Sequence, residues 1–108
     1  MKSVIDEKYV NVTFDEELRM LKVIWLGPCT SDEYRSTYLR ILAFAKNNPG
    51  DNFFVDNVKQ KVISPIDRKW FEEEVMPEAI KLGLKRAAMV YVVRFFKRYY
   101  FNNILTKT

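Results

Sequence analysis

The stretch from Asn52 to Val93 constrains the fold more than any other part of this sequence, because it reads as strand, helix, strand. Asn52-Phe53-Phe54-Val55 is a short apolar run that stops at the polar pair Asp56-Asn57. Ser64-Pro65-Ile66-Asp67 then opens a helix, and Ala87 to Val93 is a second apolar strand. An apolar strand ending in a polar pair is how a parallel α/β sheet presents a site at its carboxyl edge. The pattern predicts the α/β class. It names no activity, since the chain has no histidine, one cysteine and no phosphate-cradling glycine motif.

The flanking segments extend the same reading. Tyr9 to Phe14 alternates as a strand, with Val10, Val12 and Phe14 on one face. After the polar turn Asp15-Glu16-Glu17, Leu18 to Leu26 forms a second strand with Leu21, Val23 and Trp25 on one face and Met20, Ile24 and Leu26 on the other. The short connection makes these two an antiparallel hairpin, with the Tyr9 strand at the sheet edge. Thr30-Ser31-Asp32-Glu33 is a capping box, and Tyr34, Tyr38, Ile41, Leu42 and Ala45 follow at helical spacing until Asn47-Asn48-Pro49-Gly50 ends the helix. The Phe53 strand comes next, so the crossover is parallel. In the second helix Ser64 is the cap, Pro65 the first helical residue, and Ile66, Trp70, Phe71, Val75, Ala79 and Ile80 the buried stripe. Pro77 predicts a kink or break near Val75-Met76, and Gly83 closes the segment. A third helix is expected from Arg94 to Leu105.

Length and composition set the broad class. A chain of 108 residues with 48% hydrophobic and 30% charged residues makes one globular domain, residues 1–108, with no linker or internal repeat. The single cysteine leaves no internal disulfide framework and agrees with a reducing compartment. Charge interrupts Met1-Lys2-Ser3-Val4-Ile5-Asp6-Glu7-Lys8 too early for a signal peptide, and no apolar run approaches the roughly 20 residues of a membrane span. A cytoplasmic location is expected. The net charge of +4 is unevenly spread, since no acidic residue follows Lys81. That asymmetry reads either as a face for an anionic partner or as a solvated surface.

The order of elements resembles the STAS-like proteins, most closely the short bacterial members of that group. The segments that carry the likeness are Trp25-Leu26-Gly27, Thr30 to Tyr34, Val55-Asp56-Asn57 and Ser64 to Trp70, within Tyr9 to Val93. The resemblance implies a small single-layer mixed sheet, an N-terminal antiparallel hairpin followed by parallel strand-helix units wound as a superhelix. It also implies a regulatory or protein-interaction role, in proteins related in fold to anti-sigma-factor antagonists and lipid-transfer domains. Two departures matter. Phospho-switched antagonists carry a serine directly after the aspartate, where this chain has Asn57. The family pattern also continues with a further strand and helix beyond the length of this chain.

Candidate site residues follow from position. Asp56 lies where α/β sites form, and its competing role is a turn residue capping the backbone after it. Asn57, Ser64 and Trp70 complete the candidate binding set; Ser64 is otherwise explained as a cap, and Trp70 as a core anchor or the rim of an apolar pocket. Cys29 before the first helix is a packing residue or a dipole-activated thiol. Glu72-Glu73-Glu74 point in different directions on a helix and predict no metal site. No cofactor is expected. Phe95, Phe96, Tyr99, Tyr100 and Phe101 are too many aromatics for one helical face, so a second surface must meet some of them, which points to a homodimer. Arg94, Lys97 and Arg98 interleave with them, a pattern that also suits nucleic acid or lipid headgroups, both less favoured. The leading reading is a non-enzymatic interaction domain with a regulatory protein partner. A carrier of a small apolar or amphiphilic ligand held near Trp70 comes second, and an enzyme using Asp56 third.

Overall fold

The computed structural model describes residues 1–60, 63–93 and 96–103, with 91–93 and 96–103 described as backbone. The strands are β1 (Lys2–Asp6), β2 (Val10–Asp15), β3 (Met20–Trp25), β4 (Asn52–Asp56), β5 (Arg86–Val93) and β6 (Phe96–Asn103). They form one sheet in which spatial order equals chain order, β1-β2-β3-β4-β5-β6. The inner pairs β3–β4 and β4–β5 are parallel, whereas β1–β2, β2–β3 and β5–β6 are antiparallel. The chain is therefore an α/β domain with a mixed sheet, an N-terminal antiparallel part and parallel strand-helix units.

Helix α1 (Ser31–Asn47) crosses from β3 to β4. It begins as its sequence dictates: Thr30 Oγ1 accepts the Glu33 amide at 3.1 Å, and the Glu33 carboxylate accepts the Thr30 amide at 2.9 Å. The second crossover is α2 (Pro65–Trp70), a π-helical turn (Phe71–Val75) and α3 (Met76–Lys81). Pro77 has no amide for the Glu73 carbonyl, and its ring crowds that carbonyl. The widened turn just before it, where the Met76 amide donates to the Phe71 carbonyl five residues back, takes up the misfit. The expected break is thus a π turn in a continuing helix. Gly83 then ends the segment at φ +110, open to glycine without strain.

The helices cover one face of the sheet. Val10, Val12, Phe14, Leu21, Val23, Trp25, Phe53 and Val55 are buried on that side, as the two-residue alternation predicts. Their neighbours Thr13, Lys22, Ile24 and Phe54 are half-buried on the other side. Trp25, fully buried, anchors an aromatic cluster: it stacks on Tyr34 at 5.5 Å between ring centroids and meets Tyr38 at 5.9 Å, while Phe71 reaches Tyr38 at 4.7 Å.

Three expectations are corrected. The Tyr9 strand is not at the edge, because β1 pairs outside it through a bulge between Ser3 and Ile5; two apolar residues among charges are too short a run to announce a strand. The expected helix from Arg94 to Leu105 is replaced, over Phe96–Asn103, by strand β6, in continuous antiparallel register with β5 from Arg86↔Asn103 to Val93↔Phe96. Aromatics on successive positions suit a strand better than a helical stripe. Finally, Ile66 and Ile80 are exposed, not in the buried stripe, which runs Asp67, Phe71, Val75 at four-residue steps. Ile66 stands one residue off that phase, and the charged Asp67 takes its inward place.

Candidate functional site

The carboxyl ends of β3 and β4 meet the starts of α1 and α2, and the side chains gathered there form the candidate site. The β4 strand ends in Asp56, whose Oδ1 accepts the Val58 amide at 3.0 Å, the geometry of a turn built by an aspartate two residues back. Asn57 still donates its amide to the Val90 carbonyl at 2.9 Å, so the ladder runs one residue past the strand. Consecutive strand residues face opposite ways, and Asn57 follows Phe53 and Val55 onto the helix-covered side. It is 8% exposed, and its Oδ1 has no partner among the described residues.

Gln60 closes the turn by donating its amide to the Asn57 carbonyl at 3.2 Å. Its side chain is buried, with Nε2 donating to Cys29 Sγ at 3.5 Å and Oε1 unpartnered among the described residues. Burial pushes the Cys29 thiol up, against the lowering effect of the Gln60 hydrogen bond. A raised thiol forms less of the thiolate that attacks, so these surroundings do not favour Cys29 as a nucleophile.

The strongest polar contact joins the two helices. Asp67 is 6% exposed, and its Oδ1 accepts from Ser31 Oγ at 2.7 Å and from Arg35 Nε at 2.9 Å. Its backbone amide donates to Ser64 Oγ at 3.1 Å, the N-cap of α2. Burial raises the Asp67 carboxyl, but the hydrogen bonds from Ser31, Arg35 and Ser64 and the charge of Arg35 outweigh it and hold the group below the ordinary carboxylate range. The Arg35 guanidinium lies 5.1 Å over the Trp70 ring, and Trp70 meets Tyr34 edge-on at 6.3 Å. Asp67 is thus an ionised carboxylate held between the two helix starts through Oδ1.

Among the sequence-derived candidates, Ser64 and Trp70 both belong to this clamp, Ser64 through Asp67 and Trp70 through Arg35. Asp56 contacts backbone instead and faces the other side of the sheet from Asn57. Trp70 is a half-buried packing residue beside Tyr34 and Arg35, away from Asp56. Ser31, Arg35, Gln60 and Asp67 were not foreseen. Only Asp67 had a signal, the spacing Ser64-x-x-Asp67, a cap followed three residues on by a carboxylate, which marks it as a first-turn residue tied to its helix start; Ser31, Arg35 and Gln60 join through contacts more than thirty residues apart. Of the aromatics expected at an interface, Phe96, Tyr99, Tyr100 and Phe101 lie on β6, and Phe95 lies outside the described residues. Among the described residues, no group of three or more cysteine or acidic side chains is placed to hold a metal, and no helix is long and apolar enough to cross a membrane.

A separate apolar cleft of about 30 Å³ lies toward the amino ends of β3 and β4, between α1 and the end of the second crossover, with Tyr38, Ile41, Leu42, Val75, Ala79 and Leu84 in its walls. It is at the far end of the helices from Trp70. Comparison with known proteins found no matching family model, curated protein or solved structure.

The geometry at Asp56 makes a definite expectation. Replacement by alanine removes one turn-capping hydrogen bond and should lower stability by about 1 kcal/mol, read as a shift in the urea midpoint. An Asp56→Asn variant keeps the acceptor and should lose less than half of that. Equal losses in both would assign the effect to charge instead of the turn.

Proposed function

We propose that this chain is a non-enzymatic regulatory domain of STAS-like type, acting in the cytoplasm, which binds a protein partner at the carboxyl end of its parallel strands. Self-association through the C-terminal strand belongs to the same proposal. The observation that carries the partner face is Ile66, which is 74% exposed in the first turn of α2 while the adjacent Asp67 is pinned by Ser31 and Arg35. An exposed apolar side chain on a rigid support is suited to the centre of a binding surface. Leu26, 42% exposed, follows β3 at the same end of the sheet. Asn57 beside Asp56 and the engagement of Ser64 as a helix cap both support binding that needs no phosphorylation.

A photo-crosslinking side chain placed at Ile66 in cells, with the same group at exposed Leu39 on α1 as control, tests this face. A discrete protein adduct is expected from position 66 and not from 39, and Ile66→Asp should abolish binding of that protein while leaving the melting temperature within about a degree. Equal adducts at both positions, or binding that survives Ile66→Asp, would remove the partner face.

The apolar cleft favours a second reading, a carrier of a small apolar ligand. Its volume of about 30 Å³ is well below the roughly 150 Å³ that holds a benzene-sized guest, so a carrier would have to part α1 from α3 to load.

A further inference from the structure

The two edges of the sheet are built differently. Strand β1 has five residues, three of them charged or hydroxyl-bearing, and a bulge between Ser3 and Ile5 interrupts its register. Bulges, short length and charge are the devices by which sheet edges avoid pairing with other chains. Strand β6 has eight residues, FKRYYFNN, no proline, and unbroken register along its whole length against β5. Among the described residues, its other side has no neighbour in the sheet. A long regular edge with unpaired amides and carbonyls is a template for another strand.

We propose that this template is filled by β6 of a second copy, pairing antiparallel about a two-fold axis, so that two six-stranded sheets become one continuous sheet. The inference rests on the proposed self-association and names its geometry. The edge contrast selects the occupant: a β6-to-β1 contact would meet the bulged edge and propagate into an open fibre, whereas β6-to-β6 closes after two copies. The charges agree. A two-fold axis normal to the sheet sets residues of equal parity opposite one another, and a register centred on Tyr99 or Tyr100 keeps the basic residues apart. Centred on Tyr99, Lys97 stands opposite Phe101 and Arg98 opposite Tyr100; centred on Tyr100, they stand opposite Asn103 and Asn102. Centring on either basic residue would place like charges directly opposite, which is destabilising.

Single cysteines placed along the strand in a Cys29→Ser background read this geometry. A two-fold strand pair brings only its central residue opposite its own copy, at a Cα separation of roughly 4.5–5.5 Å, within reach of a disulfide. Sedimentation equilibrium of the wild type should give a dimer at micromolar concentration. Mild oxidation should give covalent dimers at Tyr99→Cys or Tyr100→Cys at least tenfold faster than at Lys97→Cys or Asn102→Cys, with Ser3→Cys on β1 as a negative control. A dimer with a flat cysteine profile, or one that cross-links best at β1, overturns the edge pairing and leaves self-association standing. A wild type that stays monomeric at about 100 µM overturns both.

Discussion

Truncating Trp25 to alanine is expected to bring the domain close to unfolding. The indole is fully buried on β3 and contacts Tyr34 and Tyr38, with Tyr9 also stacked on it at 6.5 Å between ring centroids. Removing a buried tryptophan costs about 3–5 kcal/mol in transfer energy and cavity, against a total of roughly 5–15 kcal/mol for a domain. The tyrosines around it come from α1 and from the turn before β2, so collapse into the space would have to move elements tied elsewhere. Trp25→Phe keeps an aromatic ring and loses only volume and the long indole hydrogen bond to the Tyr38 hydroxyl, 3.4 Å. Its cost should stay near 1–2 kcal/mol. Urea titrations with unchanged slope would report both, and an alanine cost under about 2 kcal/mol would mean the aromatic cluster repacks freely.

Asp67→Asn should cost about 2 kcal/mol at pH 7. The substitution keeps the shape but leaves Ser31 and Arg35 facing a neutral amide. The loss stays below the 3–5 kcal/mol of a fully buried broken pair because the Arg35 side chain is 36% exposed and can rehydrate. The pH dependence has a definite sign. The folded carboxyl titrates below its unfolded value of about 3.9, so its stabilisation is fully present above that value and disappears as pH falls through the lower folded one. The stability gap between wild type and Asp67→Asn should therefore be constant from pH 5 to 7 and close progressively below about pH 4. A gap that persists unchanged at pH 2 would show that the cost of Asp67→Asn does not come from loss of the carboxylate charge.

The local rules that the sequence obeys carried most of the fold. Thr30 with Glu33 and Ser64 with Pro65 each place a helix start to the residue, because capping is a contact within four residues and needs nothing from the rest of the molecule. Alternation placed Val10, Val12 and Phe14 and their β3 partners on the covered face for the same reason. What escaped depends on distant chain. Strand β1 has too little apolar content to be seen without β2 beside it. The C-terminal segment reads as a helix even beside the Ala87 to Val93 strand, because its strand form depends on a pairing with β5 that its own residues do not announce. At the candidate site, Ser64 and Trp70 were legible as types, but the clamp between them was not. The inward turn of Asp67 requires Ser31 and Arg35 from a helix more than thirty residues earlier. Ile66 was misplaced for a related reason: an apolar residue after a capping proline reads as core, until a charged neighbour with better partners claims the inward phase.

The agreement between chain order and sheet order has a consequence for synthesis on the ribosome. No strand has to be inserted between two earlier ones, so each can dock on the strand just made, and every loop that must close spans only the latest hairpin or strand-helix unit. The described sheet can therefore grow from one side during synthesis, each strand pairing on the edge of the one made just before it.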